Sequence, residues 1–376
     1  MTTFPDKDFD STQSKDFDFA QSRWMFIPGP VNVHPDVLKA MGTPPINHRG
    51  KEFSQLHDRL QQKAQWLMQT KNAVYFSTSS AIGLMEACSR NLVAKRALHL
   101  TCGSFSEQWH MITRECGKET DANTVEWGKA NRPDELKKSL DTGKYDTVCV
   151  VFSETSTAVM NPLPEIASII KQYPDVVFCL DTVSALAATP VMVDEWGVDV
   201  CFASVQKGLA LPPGFTVFSI SEQALARART VPNRGFYFDF LVFEDFGTKS
   251  QTPTTPSLPH MFGLDKQFDR IKAEGLENRW KRHRELATRT QEWAEAGWAC
   301  FAEKGHRSDA TTAVVNTHKI DFATLDKHLL NTLNVVISAG YGKLKDSTFR
   351  IGHVGETTLE QLNTCLAEID RFAQSR

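Results

Sequence analysis

The sequence predicts an α/β fold, with a large domain built on a mostly parallel sheet and a smaller C-terminal α+β domain. Short apolar runs, such as residues 176–180 and 200–203, end on polar or turn residues, which is the pattern of buried parallel strands. Segments with apolar residues at helical spacing separate these runs and indicate crossover helices between the strands. A proline-rich stretch at residues 252–259 interrupts this alternation. We therefore predict a large domain over residues 23–260 and a small domain over residues 261–376.

The elements of both domains follow from the spacing of apolar residues along the chain. In the large domain, strands are predicted near residues 74–76, 98–100, 147–152, 176–180, 200–203 and 215–220. The helices between them are predicted near residues 53–67, 83–87, 105–116 and 163–172, with another beginning near residue 221. In the small domain, we expect a long helical region to residue 298, strands near residues 312–315 and 335–338, and a terminal helix near residues 358–372.

Residues 1–22 differ in composition from the rest of the chain. They repeat the unit Lys-Asp-Phe-Asp, at residues 7–10 and 15–18, and contain few aliphatic side chains. Because such a segment cannot bury a core, we predict a disordered tail.

Composition and charge argue against several classes of protein. With 376 residues, 41% hydrophobic and 23% charged, the chain has an ordinary globular composition. Its formal net charge of −3 predicts no nucleic-acid partner and no membrane partner. No apolar run approaches the roughly 20 residues that span a bilayer, and the N-terminus lacks a signal-peptide pattern. Eight cysteines are scattered without a CxxC pair, which predicts reduced thiols in a cytoplasmic protein and no metal site.

Asp181 and Lys207 mark the candidate catalytic centre. Asp181 directly follows the run at residues 176–180, and Lys207 comes four residues after the run at residues 200–203. A parallel sheet carries its site at the carboxyl ends of its strands, although a lone lysine there can equally extend its amine to water. An amine that forms a Schiff base needs a partly desolvated position. Pyridoxal phosphate also needs a carboxylate that keeps its ring nitrogen protonated, so the two residues have the types that these roles require.

The sequence around these two residues resembles a known family. The segment Asp181-Thr-Val-Ser, and the segment Ser-Val-Gln-Lys207-Gly-Leu-Ala-Leu-Pro-Pro-Gly whose lysine comes 26 residues later, are similar to class V (alanine/serine-glyoxylate type) pyridoxal-phosphate aminotransferases. The resemblance runs from about residue 26 to the C-terminus. It implies a fold type I transferase that binds pyridoxal 5′-phosphate, with Lys207 and Asp181 as catalytic residues that also contact the cofactor.

The resemblance implies further contacts to the cofactor. Ser80, Ala81 and Ile82 follow a serine-rich turn and match the family's phosphate cup, with Ala81 and Ile82 contributing backbone N–H groups. The family commonly has Ser-Gly-Thr or Ser-Gly-His there, so we expect no side-chain contact from Ile82. The other implied contacts are Phe105 on one face of the cofactor ring, Val183 on the other face, Thr155 at the phenolic oxygen and Gln206 at the phosphate.

Arg350 and a pair of threonines complete the implied site. Arg350 lies in a predicted strand, where alternation turns it away from Phe349 and Ile351. The resemblance implies that its guanidinium binds the substrate α-carboxylate, for which it has the matching geometry. Thr254 and Thr255 correspond to residues that reach the phosphate of the neighbouring subunit's cofactor, which implies a homodimer with shared active sites.

His48 and Arg49 bear on the choice of substrate. A His-Arg pair near a helix start is commonly a surface feature, but it also offers charge for a second anionic group on the substrate. The segment is similar to phosphoserine aminotransferases, and glyoxylate-type relatives carry the pair too. We therefore expect a transaminase that moves an amino group from serine or alanine to glyoxylate or pyruvate, with phosphoserine and 2-oxoglutarate as the alternative pair.

The sequence makes three other functions less favoured. A cysteine desulfurase or lyase of the same fold would have a histidine immediately before the lysine, where this chain has Gln206. A non-catalytic subunit that keeps the fold is disfavoured because Lys207, Asp181 and Arg350 are retained together. A nicotinamide-dependent dehydrogenase is disfavoured because no GxGxxG motif opens a predicted helix.

Overall fold

The structure is a computed structural model that describes residues 23–375, so the tail predicted at residues 1–22 lies outside the described residues. The described chain forms two main sheets and a two-stranded ribbon. The strands are β1 (Trp24–Phe26), β2 (Ala73–Ser77), β3 (Ala97–Thr101), β4 (Thr120–Thr124), β5 (Thr147–Val151), β6 (Ser153–Glu154), β7 (Val159–Met160), β8 (Val177–Asp181), β9 (Val200–Ser204), β10 (Thr216–Ile220), β11 (Thr311–Val315), β12 (Val335–Ala339) and β13 (Thr348–Gly352).

Helices cover both faces of the larger sheet and one side of the smaller one. They are α1 (Pro35–Met41), α2 (Lys51–Met68), α3 (Ala81–Leu92), α4 (Ser104–Glu115), α5 (Pro133–Leu140), α6 (Leu163–Ile170), α7 (Val193–Trp196), α8 (Glu222–Thr230), α9 (Phe240–Gly247), α10 (Leu258–Glu274), α11 (Leu276–Gly297), α12 (Phe322–Leu333) and α13 (Leu359–Gln374). No helix within residues 23–375 combines the length and the hydropathy needed to cross a bilayer.

Within the described residues, the larger sheet has seven strands in the order β2-β10-β9-β8-β5-β3-β4. Neighbouring strands from β9 to β4 are parallel, whereas β10 runs antiparallel to both β9 and β2. Every residue of β5, β8 and β9 is buried, as expected for central strands covered on both faces. This mostly parallel sheet confirms the predicted α/β class, and it brings the carboxyl ends of β5, β8 and β9 together.

Alternate residues of each central strand face two different hydrophobic layers. In β8, Phe178 and Leu180 pack in the layer that includes residues of α2, α6 and α10, whereas Cys179 packs in the layer that includes residues of α3, α4 and α8. Each fully buried leucine or phenylalanine contributes about 1.5–3 kcal/mol relative to an exposed one. Packing on both faces of the sheet therefore fixes the positions of the strand ends and of the side chains on them.

The smaller sheet has the order β1-β12-β13-β11 and packs against α11, α12 and α13. β1 pairs with β12 in parallel, and β13 pairs antiparallel with both β11 and β12. β1 comes from residues assigned above to the large domain, so the first described strand of the chain adds an edge to the smaller sheet. The division of the chain at residue 260 stays a prediction.

Two features near that division refine the sequence pattern. Pro259 lies in the first turn of α10. Proline is tolerated there because the N–H groups of a first turn have no acceptor within the helix. The predicted long helical region is divided at Gly275 into α10 and α11. Gly275 has a φ of +82°, a backbone conformation that glycine adopts readily and that ends a helix.

Candidate active site

A cavity of about 260 Å³ opens at the carboxyl ends of the central strands. The last residues of β5, β8 and β9 all line it: Val151, Asp181 and Ser204. The predicted site residues in its lining are Ser80, Ala81, Ile82, Phe105, Thr155, Asp181, Val183, Gln206, Lys207 and Arg350. The lining that the structure describes does not include the other four predicted residues, His48, Arg49, Thr254 and Thr255.

Lys207 is buried, with 8% of its surface exposed. Its amine donates hydrogen bonds to Thr155 Oγ1 at 2.8 Å and to Ser184 Oγ at 2.9 Å. Burial lowers the pKa of Lys207 to about 8, an effect that Asp181 opposes and Arg350 reinforces. Above about pH 8 an amine with this pKa is mostly neutral, which is the form that reacts with aldehydes and accepts protons.

Asp181 ends β8 and is buried next to the cavity. Its Oδ1 accepts a hydrogen bond from the Val183 N–H at 2.7 Å. Burial raises the pKa of Asp181 to about 7, although this N–H and the Lys207 amine both favour the charged form. A cationic ring nitrogen facing this carboxylate would offset the cost of burying its charge, so the group suits the role of holding such a nitrogen protonated.

Arg350 reaches the cavity from β13, while its neighbours Phe349 and Ile351 pack in the core of the smaller sheet. Its Nε donates to Ala339 O at 3.1 Å, and its Nη1 donates to Thr155 O at 3.3 Å. Burial lowers the pKa of Arg350 to about 10, which still leaves it charged at neutral pH. Among the described residues, Nη2 has no hydrogen-bond partner, so its N–H groups are available for a carboxylate.

Unused polar groups cluster where α3 begins. Ser80 is the N-cap residue of α3, but its side chain makes no capping hydrogen bond. Gln206 has a buried side-chain oxygen without a hydrogen-bond partner among the described residues. The N–H of Ala81 is already engaged by Ser204 Oγ at 2.9 Å. The positive end of a helix, with the Ser80 hydroxyl and the NH₂ group of the Gln206 side chain as donors, is a suitable place for a phosphate group.

Glu154 holds the first turn of α4, which carries Phe105. This fully buried carboxylate accepts hydrogen bonds from the N–H groups of Phe105 at 3.3 Å and Ser106 at 2.9 Å, and from the hydroxyls of Ser106 and Ser156. A Cβ atom on Gly103 would lie 2.4 Å from Glu154 Cγ, so the close approach of helix and carboxylate requires glycine there. The negative charge at the helix N-terminus therefore fixes the ring of Phe105 at the cavity wall.

These groups together fit the predicted cofactor. The Lys207 amine suits an aldehyde, Asp181 suits a ring nitrogen, and the start of α3 with Gln206 suits a phosphate. The flat ring of Phe105 offers an apolar face for a pyridine ring. Within residues 23–375, no group of three or more His, Cys, Asp or Glu side chains is placed to hold a metal ion.

Arg49 lies outside the cavity and is bound to the segment that precedes the threonine pair. Its Nη1 donates to Gln251 Oε1 at 3.0 Å and to Thr252 O at 2.8 Å, and its guanidinium lies 5.1 Å from the centre of the Phe246 ring. These contacts group Arg49 with the loop of Thr254 rather than with Lys207 of the same chain.

Three residues with contacts at the cavity received no role from the sequence. Ser184 accepts a hydrogen bond from the Lys207 amine. It is the last residue of the Asp181-Thr-Val-Ser segment, so the sequence pattern already contained it. Tyr341 stacks on Phe105 with ring centroids 5.2 Å apart. Its only sequence signal was its place in the segment that leads to the strand of Arg350. Glu154 directly precedes the predicted site residue Thr155, but no sequence pattern indicated a role for Glu154 itself.

Similar proteins cover most of this chain. An uncharacterized aminotransferase of Methanocaldococcus jannaschii is 36% identical over 89% of this chain and 89% of that protein. The small subunit of a soluble hydrogenase from Synechococcus sp. is 33% identical over 88% of each. A serine–glyoxylate aminotransferase of Methylorubrum extorquens is 30% identical over 88% of this chain and 86% of that protein.

The fold is also similar to that of a solved aminotransferase. Alanine–glyoxylate aminotransferase from Nostoc sp. superposes with a TM-score of 0.88 at 26% identity, over 93% of this chain and 95% of that chain. This likeness confirms the expected fold type I architecture. The sequence profile of the aminotransferase class-V family, whose enzymes depend on pyridoxal phosphate, matches residues 25–344. The chain therefore belongs to the class V aminotransferase family, as its resemblance to that family implied.

Proposed function

We propose that this chain binds pyridoxal phosphate and moves an amino group from a small amino acid, of the serine or alanine type, to a 2-oxo acid such as glyoxylate or pyruvate. The observation that carries the proposal is that Lys207, Asp181 and Arg350 line one cavity at the carboxyl ends of the central strands. The substrate class is supported by the serine–glyoxylate aminotransferase among the similar proteins.

Each residue of the cavity has a distinct task in this proposal. Bound pyridoxal phosphate supplies a protonated ring that takes up the electron pair left at the substrate α-carbon. Lys207 would hold the cofactor at its aldehyde carbon, and when its amine is free it would move the proton at the substrate α-carbon. Asp181 keeps the ring nitrogen protonated, and Arg350 orients the α-carboxylate through Nη2. Thr155 holds the Lys207 amine in position.

The charges of the cavity favour a substrate with one carboxylate. Among the described lining residues, Lys207 and Arg350 are the cationic side chains. Arg49 is engaged by the loop at residues 251–253. Within one chain, a second anionic group on the substrate would be buried without a cationic partner, which is costly. The geometry of the single chain therefore favours serine or alanine over phosphoserine.

The proposal includes a homodimer in which Thr254 and Thr255 reach the cofactor phosphate of the second copy. Neither residue lines the cavity of its own chain. Ile82, at the cavity wall, is 43% exposed, so apolar surface at the cavity is left for a partner to cover. A cytoplasmic location is proposed because all eight cysteines are free thiols.

A donor and acceptor screen tests the activity. Alanine, serine and phosphoserine are each combined with glyoxylate, pyruvate and 2-oxoglutarate, using the cofactor-loaded protein. We expect turnover with alanine or serine and glyoxylate or pyruvate, and none after Lys207→Ala. Lys281→Ala, which changes a side chain that is 76% exposed, is the matched control and should keep full activity.

Two results of this screen would contradict the proposal. Turnover restricted to phosphoserine with 2-oxoglutarate would establish the alternative substrate pair. A cofactor-loaded protein that is inert with every pair would favour a non-catalytic subunit that keeps the fold. The dimer is tested separately by the mass in solution, and a fully active monomer would exclude shared sites.

A further inference from the structure

We propose that Tyr341 sets the size of the substrate, because its ring lines the cavity beside the carboxylate-binding arginine and stacks on the ring of Phe105, which lies near the catalytic lysine. The inference rests on the proposed function, since it takes Arg350 as the group that binds the α-carboxylate. It goes further by naming the residue that restricts the substrate side chain to about one or two carbon atoms.

Tyr341 and Phe105 together connect the two cations of the cavity. Its ring stacks on the ring of Phe105, with centroids 5.2 Å apart and planes inclined by 26°. The guanidinium carbon of Arg350 lies 5.2 Å from the centre of the Tyr341 ring, and Lys207 Nζ lies 5.8 Å from the centre of the Phe105 ring. The stacked pair is therefore a continuous aromatic surface with one cation over each ring. A substrate that reaches from Arg350 to Lys207 can lie along this surface.

The backbone around Tyr341 is tightly held, and the ring itself is held by its contacts with Phe105 and Arg350, so it acts as a wall rather than a mobile gate. A Cβ atom on Gly340 would lie 2.0 Å from Leu344 O, which shows how closely the loop folds back on itself. On the other side, Lys343 Nζ lies 4.1 Å from the centre of the Trp127 ring. Trp127 is buried and donates a hydrogen bond to the Glu107 side chain at 2.6 Å, which attaches the loop to α4.

The position of the ring has two consequences for a bound substrate. The face of Tyr341 attracts the guanidinium of Arg350, and this contact helps to keep the guanidinium plane oriented for the carboxylate. The ring also lines the cavity, so it occupies the space into which a longer side chain would extend. Since Tyr341 is 40% exposed, replacing it removes a wall without opening a hole in the core.

Binding of simple carboxylates tests the inference without any turnover. Calorimetry measures the affinity of the cofactor-loaded enzyme for propanoate and for pentanoate, which share a carboxylate and differ in chain length. We expect wild-type enzyme to bind pentanoate roughly tenfold more weakly than propanoate, because overfilling a fixed pocket is costly. Tyr341→Ala and Tyr341→Leu should remove this preference, whereas Tyr341→Phe should retain it. Leu359→Ala, a similarly exposed apolar side chain at the start of α13, is the control and should retain it too.

Kinetics provide the second readout. Loss of the contact with the guanidinium should raise KM for alanine about fivefold in Tyr341→Ala, with a smaller change in kcat. Donors with longer unbranched side chains should gain relative to alanine by roughly tenfold. An unchanged ratio of propanoate to pentanoate affinity in both Tyr341→Ala and Tyr341→Leu would overturn the inference, and so would a wild-type enzyme that binds both equally. If the ratio shifts but no amino donor is turned over, the proposed activity fails while the role of Tyr341 stands.

Discussion

The substitution Glu154→Gln removes the negative charge that holds the start of α4 at the cavity wall. Oε2 of this buried carboxylate accepts the N–H of Ser106 at 2.9 Å and its hydroxyl at 3.0 Å. Oε1 accepts the N–H of Ser156 at 3.1 Å and its hydroxyl at 2.7 Å, together with the N–H of Phe105 at 3.3 Å. Glutamine has the same size but replaces one acceptor oxygen with a donor NH₂ group.

The loss of stability expected for Glu154→Gln follows from the number of N–H and hydroxyl groups that donate to this carboxylate. Whichever oxygen is replaced, at least one buried backbone N–H loses its acceptor, whereas the serine hydroxyls can rotate. An unsatisfied buried donor costs about 1–3 kcal/mol, and each remaining bond loses the extra strength given by a charged acceptor. We therefore expect the free energy of unfolding to fall by about 2–4 kcal/mol. With an unfolding entropy of about 2.1 cal/mol/K per residue, this loss lowers Tm by about 3–5 °C if the chain unfolds cooperatively.

Thermal unfolding of the cofactor-free protein, followed by circular dichroism, measures this shift. A titration with pyridoxal phosphate then reports on the ring of Phe105, and we expect weaker binding because the ring is no longer fixed. Glu285→Gln is the matched control: its side chain is 57% exposed, so its Tm should stay within about 1 °C of wild type. If Glu154→Gln changes neither Tm nor cofactor affinity, this carboxylate does not hold Phe105.

Three further predictions concern Asp181 and Lys207, the proposed catalytic pair, and the start of α4. Asp181→Asn should lower kcat by about 10²-fold or more in a protein whose circular dichroism is unchanged, because the neutral amide cannot hold a ring nitrogen protonated; retention of kcat would exclude that role. Since burial lowers the pKa of Lys207 to about 8, the neutral amine predominates above that pH. The rate at which cofactor-free protein takes up pyridoxal phosphate should therefore rise with pH and level off above about pH 8, and a rise that continues to pH 10 would show an ordinary lysine. Gly103→Ala should lower Tm by several degrees because its Cβ would meet Glu154 at 2.4 Å, whereas Gly297→Ala, with nothing within 4 Å, should not, and equal melting of the two variants would contradict the close packing.

The strand ends that carry the site were predictable because buried parallel strands have a simple signature. β8 and β9 are short apolar segments, each ending on a polar residue. Asp181 is the last residue of β8, and Lys207 follows β9 by three positions. Strand alternation likewise predicted that Arg350 faces away from the core of its sheet, since its neighbours pack in that core.

Other features depend on contacts between distant parts of the chain, which no local pattern reveals. Glu154 accepts a hydrogen bond from the N–H of Ser106, which lies 48 residues earlier in the chain. The sequence next to Glu154 therefore could not show that this carboxylate is buried. The strand β4 has the polar sequence Thr-Asp-Ala-Asn-Thr, because it lies at the edge of the sheet and is only partly buried. Arg49 has the right charge for substrate binding, but the loop at residues 251–253 takes up its guanidinium.

The identity of the residue that holds the cofactor tests the central claim most directly. The cofactor-loaded protein is reduced with borohydride and digested, and mass spectrometry locates the pyridoxyl group. We predict that the group lies on the peptide containing Lys207 and that Lys207→Ala carries none. A pyridoxyl group on a different lysine, or none on wild-type protein that has bound the cofactor, would contradict the assignment of this cavity as the active site.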